Sequence, residues 1–157
     1  MKTNLVVVGV MAFLSAILFS CSAHKVQGVN LNGTWTLTNV SAEGTNGNYR
    51  TTVFDDVPAS CLNGSVWNLP NNGKGSYTIS DSSSECVAGS RQIYWSVRSD
   101  NGINYFQFKK LDSGAQAKDI QDGYRLEITS TTANSFTLRA PVEGTASSTV
   151  VYSFTKQ

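Results

Sequence analysis

The sequence predicts an all-β protein with a single antiparallel up-and-down β-barrel of about eight to nine strands. Apolar and polar residues alternate along many short segments, turn-forming residues separate these segments, and no window of about 11 residues or more after Trp35 has helical spacing. The candidate strands are Thr34–Val40, Tyr49–Phe54, Ser65–Leu69, Gly75–Ser80, Arg91–Arg98, Ile103–Lys110, Tyr124–Thr131, Phe136–Ala140 and Thr149–Thr155.

The alternation gives each predicted strand one apolar face. In Arg91–Arg98, for example, Ile93, Trp95 and Val97 share one face, and the residues between them share the other. A closed antiparallel wall has a dry inner face and a wet outer face, so we expect the apolar set to line the interior. The predicted interior residues are Trp67, Leu69, Tyr77, Ile79, Trp95, Phe106, Phe108, Leu126, Ile128 and Leu138.

The connections between strands differ in kind. Asn101-Gly102 separates two strong strands and predicts a tight hairpin, because both residues readily adopt the positive φ values of such a turn. Asp55–Gly64 interrupts the strand rhythm, and we expect it to fold over one end of the barrel. Leu111–Asp122 is long and polar, with room for one helical turn within Ala115–Ile120. Such rim loops are often functional, and a flexible polar connection is the alternative.

Residues 1–20 are predicted to form a secretory signal peptide. Lys2 supplies the positive charge expected in the N-terminal region of a signal peptide. Leu5–Phe19 is a nearly unbroken apolar run that is short for a membrane-spanning helix. The run ends in Leu18-Phe19-Ser20-Cys21, which resembles the lipobox of bacterial lipoproteins. The resemblance implies cleavage before Cys21, a diacylglyceryl thioether on its sulfur and acylation of the new amine by a fatty acid such as palmitate. An ordinary signal peptide followed by an incidental cysteine is the alternative.

Residues 21–30 would then form a lipidated tether, and residues 31–157 would form the barrel domain. Two or three acyl chains hold a protein stably on a membrane. Ser22 follows the cysteine where Asp would otherwise stand, which by the same resemblance favours the outer membrane. The residues Ala23-His24-Lys25 lack the acidic cluster of some surface-exported lipoproteins, so we expect a periplasm-facing domain.

Cys61 and Cys86 remain once Cys21 is assigned to the lipid anchor. An even number of cysteines in an oxidising compartment predicts a disulfide between these two residues. A metal or redox pair is the alternative, but the spacing is not C-x-x-C and neither cysteine has a histidine near it in sequence. We therefore expect a structural disulfide and no metal site.

Gly33-Thr34-Trp35 at the start of the first strand resembles the G-x-W signature of lipocalins. The surrounding sequence is closer to bacterial lipocalin-like lipoproteins, with a lipobox, a short tether, a cysteine shortly before Trp67 and a C-terminal strand that closes the chain. The resemblance implies a barrel closed near Trp35 and open at the other end. Two features differ from secreted lipocalins: no long C-terminal helix is evident, and no Arg could be matched to the one that usually covers the signature Trp.

Charge and composition argue against several function classes. The formal net charge is +1 at pH 7, with no basic stripe, so nucleic acid is not an expected partner. His24 is the single histidine and lies in the tether, so the domain lacks the usual general base, and we expect no enzyme activity. Asp55-Asp56 could hold Ca²⁺ or serve acid–base chemistry, but such pairs are more often solvated turns. No cofactor motif is present.

Two functions follow from the expected barrel. In the first, the membrane-tethered barrel binds a small hydrophobic or amphipathic molecule among its interior rings. In the second, the interior is filled, and the loops Asp55–Gly64 and Leu111–Asp122 contact an unknown envelope protein, as an inhibitor or assembly factor would. An interior of this size suits either outcome, because about eight strands enclose packed side chains or one small ligand.

Overall fold

A computed structural model describes residues 28–44, 52–142 and 147–157, and the predicted signal peptide and most of the tether, with Cys21, lie outside them. Among the described residues no helix is long and apolar enough to cross a membrane. The strands are β1 Gly33–Glu43, β2 Thr52–Val53, β3 Val57–Pro58, β4 Val66–Leu69, β5 Lys74–Ile79, β6 Gly89–Asp100, β7 Ile103–Leu111, β8 Tyr124–Thr131, β9 Ser135–Pro141 and β10 Thr149–Lys156.

Eight of these strands form one closed antiparallel barrel in the order β1-β10-β9-β8-β7-β6-β5-β4, which confirms the predicted fold. The ring closes because β1 pairs on both sides: Trp35 lies opposite Trp67 on β4 and opposite Lys156 on β10. Full closure leaves no open sheet edge, so every barrel strand has a hydrogen-bonded neighbouring strand on both sides.

The described part of the predicted strand Tyr49–Phe54 does not belong to the barrel. Only Thr52–Val53 is extended, and it pairs with Val57–Pro58 in a separate two-stranded sheet, while residues 49–51 lie outside the described residues. This stretch contains β-forming residues, but it cannot pair with β1, because β4 and β10 occupy both sides of that strand. The structure also places a short 3-10 helix at Ala117–Asp119, where one helical turn was expected.

The closed end of the barrel carries short turns and the signature residues. Asn101 and Gly102 have φ values of 49° and 83°, as the predicted tight hairpin requires. Trp35 Nε1 donates a hydrogen bond to the Leu31 carbonyl at 2.8 Å. Lys156 Nζ lies 5.5 Å from the centre of the Trp35 ring, so a lysine covers the tryptophan at the place where an arginine was sought.

The interior is filled with aromatic rings in contact with one another. Trp67 stacks on Tyr77 with centroids 4.6 Å apart, and Phe136 stacks on Phe154 at 4.3 Å. All predicted interior residues are buried except Ile128, which is half-buried and packs against the core where the pairing of β8 and β9 shifts register. Burial of this aromatic set is the main source of stability in the domain.

Candidate binding site at the barrel mouth

The long connections between strands meet at the end of the barrel opposite Trp35. The chain from β1 to β4 crosses this end, and its described part, Thr52–Ser65, is called the mouth segment below. It contains β2, β3 and a 3-10 helix at Ala59–Leu62, and its apolar side chains are buried against the barrel interior. The predicted folding of Asp55–Gly64 over one barrel end is therefore confirmed.

A disulfide fastens the mouth segment to the connection between β5 and β6. Cys61 and Cys86 are bonded, with their Cα atoms 5.5 Å apart, which confirms the predicted pairing. Cys61 is 1 % exposed, so the bond lies at the edge of the core and fixes one side of the mouth segment.

Asp56 fastens a second point of the mouth segment to the barrel wall. Its carboxylate accepts a hydrogen bond from the Tyr77 hydroxyl at 2.6 Å and from Arg91 Nε at 2.9 Å. Burial tends to raise the pKa of Asp56, but the hydrogen bonds from Tyr77 and Arg91 outweigh it and hold the pKa below its ordinary value. Arg91 also donates to two backbone carbonyls, at Gly89 and Val87.

Asp55 is the third attachment point. Its carboxylate accepts a hydrogen bond from the Tyr124 hydroxyl at 2.9 Å, and its backbone carbonyl accepts one from Lys110 Nζ at 2.9 Å. Burial and the neighbouring Asp55 carboxylate raise the pKa of Tyr124, so the phenol stays a donor. Both carboxylates of the Asp55-Asp56 pair therefore hold the mouth segment in place. Within the described residues no group of three or more His, Cys, Asp and Glu side chains could hold a metal ion.

We predict that Asp56→Asn lowers the free energy of unfolding by about 2 kcal/mol at pH 7, because Arg91 is left mostly buried without its counter-charge. The folded-state pKa of Asp56 lies below the unfolded value of 3.8. The stabilisation is therefore present above about pH 4 and is lost as the pH falls through the lowered pKa. Urea unfolding at pH 7 and pH 2 should show the wild type and the variant converging.

Asp100→Asn is the matched control for this pH series. Its partner Arg125 and Asp100 itself are about half exposed, so the exposed ion pair contributes little. An equal loss in both variants at pH 7, or a wild-type advantage that persists at pH 2, would contradict the role given to Asp56.

Phe54 lies directly before these attachment points in the sequence and inserts its ring into the barrel mouth. The ring contacts four others, which we call the aromatic box: Trp67, Phe108, Tyr124 and Tyr152. It meets the first three edge to face, with centroids 6.1, 5.0 and 5.2 Å away, and stacks on Tyr152 at 5.4 Å. Phe54 thus closes the barrel interior at its mouth.

The backbone at Phe54 is strained. Phe54 and Asp55 have φ values of 56° and 46°, and the Asp56 amide donates to the Val53 carbonyl at 3.1 Å. This is the tight turn whose two central positions ordinarily hold Asn and Gly. A bulky residue with positive φ costs on the order of 1–3 kcal/mol, and it persists only when its surroundings hold it there.

A cleft of about 410 Å³ opens beside Phe54, between the mouth segment and strands β8, β9 and β10. We call it the mouth cleft. Apolar and polar surface contribute about equally to its walls. The lining residues are Thr52, Val53, Phe54, Asp55, Gly123, Tyr124, Arg125, Leu126, Ala140, Pro141, Val142, Val150 and Tyr152.

Tyr152 is the most deeply buried of the residues with a polar side chain that line the mouth cleft. The residue is 2 % exposed, and burial raises its pKa. Among the described residues its hydroxyl has no hydrogen-bond partner, although every fully buried side-chain polar atom there has one. The hydroxyl therefore keeps some contact with solvent, and Tyr152 is one of the residues that line the mouth cleft.

Comparison with known proteins adds no relative. No protein-family model, no curated protein and no solved structure matches this chain. The fold is established by the strand order and the register alone.

The predicted site residues fall into three places. Gly33 and Trp35 lie at the closed end, Leu126 lines the mouth cleft, and the other predicted interior residues form the packed core. Gly33 has a φ of 134°, and a Cβ there would meet the Lys156 side chain at 3.3 Å, which explains the glycine. Sequence reasoning did not single out Phe54 or Tyr152, because each belongs to an ordinary β-forming run.

A second, wider cleft lies outside the barrel. It has a volume of about 1060 Å³ and lies between the outer face of β6 and the Leu111–Asp122 loop. Lys109 Nζ holds that loop by donating to the carbonyls of Ala117 and Ile120. Most of the residues that line this wider cleft are polar or charged, and two of its cations, Arg91 and Lys110, already hold the mouth segment.

Proposed function

We propose that the protein is a lipid-anchored, lipocalin-like binding protein of the cell envelope, and that it holds one small amphipathic molecule in the mouth cleft. Cys21 would carry the acyl chains and keep the barrel on the outer membrane, facing the periplasm. The signal peptide and the lipobox in the sequence support this location.

The single observation that carries the binding proposal is the mouth cleft itself. Three aromatic residues, Phe54, Tyr124 and Tyr152, are among those that line it, and the Tyr152 hydroxyl has no hydrogen-bond partner among the described residues. Ligand sites are typically concave and mostly apolar, roughly 300–1,000 Å³ in volume, with a few polar groups that orient the ligand. Burial of apolar ligand surface would supply the affinity, and the hydroxyl would fix the orientation.

The proposed site lies at the rim of the barrel, above the interior residues that the sequence first suggested. Trp67, Tyr77, Phe106 and Phe108 pack against one another, so their apolar surface is already buried. Leu126 belongs to both regions, because its side chain is buried and it lines the mouth cleft. A ligand in the mouth cleft would lie against the side of this core that faces the barrel mouth.

Native mass spectrometry of protein extracted from its own membrane fraction tests both parts of the proposal. We expect a mature chain that begins at Cys21 and carries acyl chains, together with one non-covalently bound small molecule. Calorimetric titration with two neutral amphipathic probes, 1-octanol and 2-naphthol, provides an independent measurement. A chain without acyl groups would overturn the anchor, and the absence of both a bound molecule and saturable probe binding would overturn the binding function.

Tyr152→Phe should weaken probe binding roughly five- to tenfold, because one hydrogen bond to the ligand is lost and the ring remains. The matched control is Tyr94→Phe, since Tyr94 lies on the outer face of β6 and does not line the mouth cleft. Equal affinities for the wild type and Tyr152→Phe would show that the hydroxyl does not bind the ligand.

The second candidate function is a filled barrel that contacts an envelope protein through its mouth loops. The observation that favours it is the mutual packing of the interior rings. Crosslinking in intact cells that repeatedly recovers one stoichiometric protein partner, without any small molecule in the mouth cleft, would support this function over the first.

A further inference from the structure

We infer that the buried part of the ligand is a planar aromatic ring, and that Phe54 occupies its position in the free protein. This inference rests on the proposed function, because it names the chemical class of molecule that the mouth cleft takes. It follows from three features of the mouth: the strained turn at Phe54, the aromatic box around its ring and the attachment points that follow it in sequence.

The strained turn indicates that Phe54 has an alternative conformation. Its φ of 56° is one that a bulky residue rarely adopts, and the adjacent Asp55 has a φ of 46°. Neither residue is the Asn or Gly that such a turn favours. The contacts of the ring hold the backbone in this conformation, so a group that takes over those contacts would allow Phe54 to relax to an extended backbone.

The aromatic box indicates which group could take over those contacts. Trp67, Phe108 and Tyr124 present their rings at 66–79° to the plane of Phe54, and Tyr152 lies nearly parallel to it at 24°. Such edge-to-face and stacked contacts depend on a flat ring with a negative face and a positive edge. A saturated ring or an alkyl chain would fill the same volume without these contacts.

The attachment points explain how Phe54 could leave without unfolding the mouth. Asp55 and Asp56, directly after it, are held by Tyr124, Lys110, Tyr77 and Arg91. The disulfide at Cys61 holds the segment further along. Because Asp55 and Asp56 stay held, relaxation of Phe54 moves the chain before it and breaks the Asp56–Val53 hydrogen bond and the pairing of β2 with β3. The aromatic box then opens to the mouth cleft, which the ring already borders.

The polar groups around the mouth cleft favour an uncharged ligand. The Asp55 carboxylate lies at the rim and disfavours an anion, and Arg125 is already paired with Asp100 at 2.8 Å. The free Tyr152 hydroxyl can donate to or accept from one polar group. The ligand class is thus a small, neutral, planar aromatic molecule that carries a hydroxyl or a similar hydrogen-bonding group.

Calorimetric titration of the full mature chain with 2-naphthol and with decahydro-2-naphthol tests the inference, because the two probes share one skeleton and differ in aromaticity. We expect 2-naphthol to bind at least tenfold more tightly. Phe54→Gly should raise the affinity for 2-naphthol about tenfold, because the competing ring and the strained backbone are both removed. Asn101→Gly, which relieves a positive φ at the closed end, is the matched control and should leave the affinity within twofold.

The outcomes separate the inference from the proposed function. Tight binding of 1-octanol with no preference for 2-naphthol would overturn the aromatic ligand class and leave the binding function intact, whereas no binding of any probe would overturn both. If Phe54→Gly does not fold, nuclear Overhauser contacts in the wild type decide the question. In the complex with 2-naphthol, contacts from Phe54 to Tyr152 should be replaced by contacts from the probe, and their persistence at saturation would overturn the inference.

Discussion

Trp67→Ala should lower the free energy of unfolding by about 3–5 kcal/mol, because it removes the ring around which the interior is packed. Trp67 is 1 % exposed and contacts five aromatic rings, which belong to Phe54, Tyr77, Phe106, Phe108 and Phe154. Its indole N–H also donates to the buried Ser65 hydroxyl at 3.0 Å, so the substitution leaves that group short of a partner. Urea unfolding monitored by far-ultraviolet circular dichroism measures the loss.

Tyr94→Ala provides the comparison for this substitution. Tyr94 is an aromatic residue on a central strand, but it is 41 % exposed, and we expect its removal to cost less than about 1 kcal/mol. A loss below about 1 kcal/mol for Trp67→Ala would mean that the rings do not form a packed core. The interior would then be free to accept a ligand, as the first of the two functions suggested by the sequence requires.

The fold could be predicted because the strand signal in this chain is local. Each long strand shows its alternation within about eight residues, and turns such as Asn101-Gly102 bound it clearly. The described part of the predicted strand Tyr49–Phe54, Thr52–Val53, is a strand but pairs outside the barrel, where no free edge of the eight-stranded ring remains. Closure is a property of all eight strands together, and no single segment reveals it.

The mouth could be predicted only in outline. Asp55–Gly64 was expected over one end of the barrel, but Asp56 meets its partners Tyr77 and Arg91 across 21 and 35 residues of sequence. Adjacent acidic residues usually mark a solvated turn, and nothing local distinguishes this pair. Phe54 was equally hidden, because phenylalanine gives no sequence signal for a positive φ.

The residue that packs over Trp35 could not be predicted from the sequence either. The resemblance to lipocalins implies an arginine at this place, whereas the barrel register sets Lys156 of the last strand opposite Trp35 of the first. The ammonium group lies 5.5 Å from the ring centre, which is within the range of a cation–π contact. The two residues are separated by almost the whole domain, so only the closure of β1 onto β10 brings them together.

The double variant Cys61→Ser, Cys86→Ser should lose about 3 kcal/mol of unfolding free energy in the chain-entropy account of a disulfide. The bond joins residues 25 apart in sequence, so the unfolded chain regains the freedom of a loop of that length. Urea unfolding measures this loss. A reducing agent should lower the unfolding midpoint of the wild type towards that of the variant and leave the variant unchanged.

Hydrogen exchange adds a spatial test of the same bond, because the disulfide joins the mouth segment and not two barrel strands. Exchange in β6 and β7 should increase only as far as the loss of global stability requires, and exchange within Thr52–Ser65 should increase further, because this segment can also open locally. Asp56 and Asp55 would still hold the segment through Arg91 and Tyr124, so partial protection should remain there. Exchange within Thr52–Ser65 that increases no more than exchange in β6 and β7 would mean that the bond has no particular role in holding the mouth segment.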